Sequence, residues 1–107
     1  MTNYKVKIIN EIQNSHDDNI DVEIVFDNNE RYFATFFTLK NIKTIMDRHK
    51  VSGECRHGIF FCATDMIIVE KLDESVIYQT IAELDEEGSL ASYCTKYTAE
   101  EKPLPRP

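Results

Sequence analysis

The chain has 107 residues, 42% hydrophobic and 29% charged, with six Phe and five Tyr; this is the composition of one globular domain with its own core and excludes an intrinsically disordered chain. Twelve Lys and Arg against nineteen Asp and Glu give a net charge of −7, which counts against recognition of a phosphate backbone. No run approaches the ~20 apolar residues of a membrane-spanning helix, and the opening MTNYKVKIINE lacks the apolar stretch of a signal peptide, so a cytoplasmic protein is expected.

In chain order, Tyr4, Val6 and Ile8 alternate with Lys5 and Lys7 in the period of a half-buried strand. After the polar loop QNSHDDN, the stretch NIDVEIVFD sets Ile20, Val22, Ile24 and Phe26 on one side and Asp21, Glu23 and Val25 on the other, the clearest strand pattern in the chain. DNNE supplies turn residues before RYFATFF, whose aromatic and β-branched content suits a third strand. At Thr38 the period changes. Leu39, Ile42, Ile45 and Met46 recur at helical spacing, Thr38 can cap the first turn, and Gly53 stops a helix over about 39–50.

GIFFCA and MIIVEKL, separated by Thr64 and Asp65, predict a hairpin or a bulged strand pair. Asp73 or Ser75 can cap a second helix carrying Val76, Ile77, Ile81 and Leu84 and ended by Gly88. The periodicity of SLASYCTKY, residues 89–97, fits a strand or a short helix equally. The order βββ-α-ββ-α therefore predicts an α+β fold, a mostly antiparallel sheet of about five strands with two helices. It forms one domain over residues 1–97, followed by a flexible Pro-rich tail over 98–107. Ile24, Phe26, Ile42, Met46, Ile67 and Ile81 are expected to share one core.

ECRHGIFFCATDMIIVE, residues 54–70, gathers Cys55, His57 and Cys62 beside Asp65. With His49 or Cys94 as a fourth ligand it is the one metal-like constellation in the chain, but its spacing lacks the close ligand pairs of a structural zinc site. Cys62, inside IFFCA, reads as a core thiol, Asp65 as a turn residue, and Cys55 with His57 as loop residues lacking the features of a nucleophile pair. Three cysteines cannot all pair within one chain, and free thiols are expected. The sequence contains no GxGxxG, GxxxxGK, HExxH, EF-hand or GxSxG motif. No catalytic residue, metal or cofactor is assigned, and the chain is expected not to be an enzyme.

What remains is binding, and charge is the guide to it. Residues 11–30 contain seven Asp and Glu and no Lys or Arg; residues 70–87 contain seven against Lys71 alone; residues 40–56 are mildly basic. The second helix ends in ELDEEG, crowding Glu83, Asp85, Glu86 and Glu87 at a helix C-terminus, where the macrodipole disfavours negative charge. These four, with Asp17, Asp18 and Asp21 of the first acidic segment as the competing location, are the candidate partner-binding residues.

In size, charge and the character of ATFFTLKNIKTIM and GIFFCATDMIIVEKL, the chain resembles bacterial immunity proteins of polymorphic and contact-dependent inhibition toxins. The resemblance implies a small cytoplasmic inhibitor of a cognate toxin domain, itself cationic and in many systems a nuclease. It carries over no individual residue. Two other expectations stand beside it: a homo-oligomeric regulatory or adaptor module, with Tyr78, Tyr93 or Tyr97 anchoring a homodimer, and a metal or thiol enzyme built on residues 49–62.

Overall fold

In the computed structural model, which describes residues 3–97, the period-2 segments form β1 (Tyr4–Ile8), β2 (Asn19–Phe26) and β3 (Arg31–Thr38), an antiparallel meander. The register sets Tyr4 against Phe26, Ile24 against Tyr32 and Val22 against Ala34, so one face of all three strands is apolar. The expected tail at 98–107 lies outside the described residues.

Helix α1 (Leu39–Ser52) follows β3 directly; the Thr38 hydroxyl accepts the Asn41 N–H, and Gly53 ends the helix in the left-handed region at φ 90°. A short segment, α2 (Glu54–Gly58), and an irregular connection then lead to β4 (Met66–Val69), which pairs parallel to β3. Helix α3 (Glu74–Glu87) is capped by the Asp73 carboxylate and closed by Gly88. Residues 89–97 supply both of the expected alternatives in succession, α4 (Leu90–Tyr93) and β5 (Thr95–Tyr97).

The fold is α+β, with five strands and four helical segments among the described residues. The sheet is antiparallel except for β4 and runs β1-β2-β3-β4, with β5 also on β3. The predicted order βββ-α-ββ-α therefore holds only through α1. GIFFCA is not a strand, and there is no hairpin with MIIV, because a strand parallel to its predecessor needs a crossover rather than a tight turn. The apolar letters of GIFFCA consequently do not enter the sheet. Phe61 turns inward, its ring 5.5 Å from that of Phe37, while Ile59, Phe60 and Cys62 are exposed. The buried thiol is Cys94 rather than Cys62.

The main core lies on the apolar face, where Ile20, Val22, Ile24, Ala34 and Phe36 meet Leu72, Ile77 and Ile81 from β4's exit and α3, with Leu90 and Cys94 closing the end. Ile24, Phe26 and Ile81 belong to this cluster and Ile67 packs against it, as expected. Ile42 and Met46 are only partly buried and stand outside it, because α1 sits on the other face: Asn41 bonds Asn19 of β2, and Phe61 lies between Phe37 and His49. Truncating Ile24 or Ile81 to Ala is expected to cost about 2–5 kcal/mol, with a smaller loss at Ile42 or Met46. Urea unfolding of the four variants measures this, and equal losses would show that α1 shares the main core.

Candidate functional site

Helix α3 turns Ile77 and Ile81 into the core and so points its acidic residues outward: Glu83, Glu86 and Glu87 are exposed and Asp85 is partly buried. Its last turn contains no basic residue. Four carboxylates thus surround backbone carbonyls that already carry partial negative charge, an arrangement that costs stability. This end of α3 hangs over the sheet at Tyr4. Burial first, and then the fields of Asp85 and Glu86, raise the Tyr4 phenol above its ordinary value.

Beside it opens a cleft of about 280 Å³ lined by Phe26, Glu30, Tyr32, Asp85 and Leu90 among others. Glu30 is held in place by Lys96 at 2.7 Å and by the Asn28 side-chain amide at 2.7 Å. The hydrogen bond from Lys96 is the chief reason its carboxyl lies below the ordinary value. An aromatic floor with a carboxylate rim suits an ammonium or guanidinium group, which gains from both ring faces and ion pairing. The sequence pattern placed Phe26 on the core face and had no means of setting Tyr4, Glu30 and Tyr32 beside α3, since the strand-to-helix contact is tertiary.

Asp17, Asp18 and Asp21 lie elsewhere and are engaged internally. The Asp17 carboxylate accepts from the Asn41 side chain at 2.9 Å and from the Thr44 hydroxyl at 3.0 Å, tying the loop to α1. Asp18 accepts the backbone N–H groups of Gln13 and Asn14, and its own carbonyl accepts the Thr38 N–H. Asp21 accepts from the Thr35 hydroxyl at 2.8 Å. This loop enters β2 at Asn19, whereas the α3 carboxylates sit near its far end, where Phe26 pairs with Tyr4. The seven candidates therefore form two separate groups, one of them occupied internally: Asp17 holds the β1–β2 connection to α1, Asp18 bonds within that connection, and Asp21 bonds β3.

The stretch from Gly53 to Asp65 adds a feature that composition does not announce. Cys55, Arg56 and His57 have φ of 49°, 51° and 60° and ψ near those of a left-handed helix, and Gly58 follows at φ 77°. Three successive non-glycine residues in this region cost about 1–2 kcal/mol each. The turn is held by the His57 N–H on the Gly53 carbonyl and by packing so close that a Cβ on Gly58 would sit 2.2 Å from the Met46 carbonyl oxygen. Glycine at 58 is thus required twice, by conformation and by space.

His49 faces Glu54 at 3.3 Å through Nε2, while its buried Nδ1 has no hydrogen-bond partner among the described residues. Cys55 is half-buried, His57 and Cys62 are exposed, and no group of three or more His, Cys, Asp or Glu among the described residues is placed to hold a metal ion. Of the tyrosines considered as interface anchors, Tyr78 and Tyr93 are exposed, but Tyr97 is buried in β5.

Family models, curated proteins and solved structures contain no match to this chain. No helix of the described residues is long and apolar enough to cross a membrane.

The three thiols should differ in reactivity. Burial, reinforced by the field of Asp65, pushes the Cys94 thiol up to about 12, whereas Cys62 is exposed. Alkylation of the native protein followed by mass spectrometry is expected to modify Cys62 readily and Cys94 only on unfolding; a rapidly labelled Cys94 would show that α4 and β5 do not close the core.

A second expectation concerns acid. Hydrogen bonds from Asn41 to Asp17, from Lys43 to Asp47 and from Lys96 to Glu30 lead the causes that hold these three carboxyls below their ordinary values in the folded state. The stability they contribute is present above the unfolded-state value, about 4, and is lost as pH falls through the lower folded-state values. In thermal melts across that window, Asp17→Asn should show a shallower decline with acid than the unaltered protein. An identical decline would mean that the loop carboxylate contributes nothing to folding.

Proposed function

We propose that this protein is a binding module that captures a cationic protein surface through the end of α3, and that it acts in the cytoplasm as the inhibitor of a cognate toxin domain. The observation that carries this proposal is the crowding of Glu83, Asp85, Glu86 and Glu87 at a helix terminus that opposes them, next to an aromatic cleft rimmed by Glu30. An ammonium or guanidinium group of the partner would enter the cleft while the exposed glutamates steer its approach. A toxin that cleaves nucleic acid presents such a surface where it binds phosphates, and covering that surface blocks substrate access without any chemistry by the inhibitor. The engaged state of Asp17, Asp18 and Asp21 favours the α3 end over the β1–β2 loop.

Combining Asp85→Lys, Glu86→Lys and Glu87→Lys should leave the unfolding midpoint unchanged or slightly raised, because the replacements suit a helix C-terminus. Binding to the product of an adjacent toxin reading frame should weaken at least tenfold, chiefly through the association rate, with a reduced dependence on salt. Stopped-flow kinetics at several ionic strengths measure both effects. Unchanged association at low salt would assign these carboxylates to solvation.

A further inference from the structure

The cleft beside the end of α3 is already supplied with a cation by the chain itself. Both oxygens of the Glu30 carboxylate are engaged: Oε1 accepts the Asn28 side-chain amide at 2.7 Å, and Oε2 accepts the Lys96 ammonium at 2.7 Å, with the Tyr32 hydroxyl at 3.5 Å. Lys96 on β5 is the register partner of Tyr32 on β3, so the two side chains leave the same face of the sheet, the one on which Phe26 and Tyr32 floor the cleft. Asp85, also in the lining, has no salt bridge among the described residues.

The donors on Glu30 are not equally replaceable. Asn28 is tied twice, because its Oδ1 also accepts the Glu30 N–H within the turn between β2 and β3. Lys96 is joined to Glu30 by its ammonium alone, its side chain is 57% exposed, and an ion pair open to water is a weak tether. A partner cation entering the cleft therefore meets one open carboxylate, Asp85, and one that is occupied, and to reach Glu30 it must take the place of Lys96. An incoming ammonium gains nothing by that exchange, since it offers the same compact charge. A guanidinium does gain, because its planar fork bonds a carboxylate through two N–H groups and its flat face stacks on an aromatic ring such as that of Tyr32.

Taking the α3 end as the capture surface, we propose that Lys96 is a displaceable internal counter-ion that tunes the cleft to arginine: a guanidinium of the partner replaces the Lys96 ammonium on Glu30, where a lysine has no advantage. The exchange conserves local charge, since one cation leaves as another enters. Lys96 stays in place through the β5 ladder to β3 while its side chain turns to solvent.

The probes are acetyl-Gly-Arg-Gly-amide and its Lys counterpart, titrated against the whole protein while NMR follows the amides of Gly88 and Ala91, which line the cleft. The Arg peptide should bind about threefold or more tighter than the Lys peptide. Lys96→Met vacates Glu30, so both peptides should tighten and the preference should narrow. Lys96→Arg sets an internal fork on Glu30 and should weaken the Arg peptide by about threefold or more; it leaves the net charge unchanged, so long-range attraction does not account for the loss. A residue that merely supported β5 would show the reverse, harm from Met and rescue by Arg. Both variants alter a side chain more than half exposed and should keep the circular dichroism spectrum. Equal affinity for the two peptides, shifts absent from Gly88 and Ala91, or Met and Arg variants that change binding in the same direction would overturn the proposal. A toxin domain whose association still needs Asp85, Glu86 and Glu87 but ignores both Lys96 variants would retain the capture surface and remove the exchange.

Discussion

Every strand except β1 hydrogen-bonds to β3. Along one edge β3 takes the full length of β2, and along the other it takes β4 beside its C-terminal half and β5 beside its N-terminal half. A strand paired on both edges and covered on both faces has no route to water for its backbone, and its residues from Phe33 to Thr38 are all buried. Cover on one face comes from α3 and α4. On the other, Thr35 is satisfied by Asp21, and Phe37 meets Phe61 of the crossover connection. Thr38 then ends the strand and caps α1 with the same hydroxyl, so the direction of the helix is fixed by the last residue of the ladder.

How much of this was legible depends on the range of the interactions that decide it. Period-2 alternation in β1 and β2, the Thr38 and Asp73 caps and the glycine stops at 53 and 88 act within a few residues, and each was readable from the letters. The segment from Cys55 to Cys62 was not. Its apolar letters have the composition of a strand, yet Gly58 packs against the Met46 carbonyl and the chain is wound left-handed to permit it, a decision taken by α1 and invisible within the segment. Asp17 looked like surface charge for a similar reason, because the partners of its carboxylate, Asn41 and Thr44, lie far along the chain. The crowding of carboxylates at the C-terminus of α3 was readable, but the aromatic cleft beside them arises only when β2, β3 and α3 meet.

The acidic character therefore divides into two kinds. Carboxylates of the β1–β2 loop serve as acceptors for backbone and side-chain donors, and their charge is partly consumed in that work. Those at the end of α3 have few such partners; Glu87 meets the Ser89 hydroxyl, and Asp85 faces a phenol it makes harder to ionise. One set stabilises the fold and the other opposes it, although the sequence writes them in the same letters.

β4 and β5 lie end to end along one edge of β3, with Ala34 at the seam: Thr35 pairs with Met66, Phe33 pairs with Thr95, and the Thr95 hydroxyl closes the join by donating to the Asp65 carboxylate. During synthesis the two halves of that edge are filled at very different times. Once β4 has emerged, the parallel half can zip, but Arg31 to Phe33 must wait for the last described strand with their backbone groups unmatched. A nascent or truncated chain ending before Thr95 would hold a nearly complete sheet with a bare notch beside its central strand, a template open to any passing extended segment. The three residues of β5 thus act as a seal, and until they emerge the notch beside β3 stays open to misassembly.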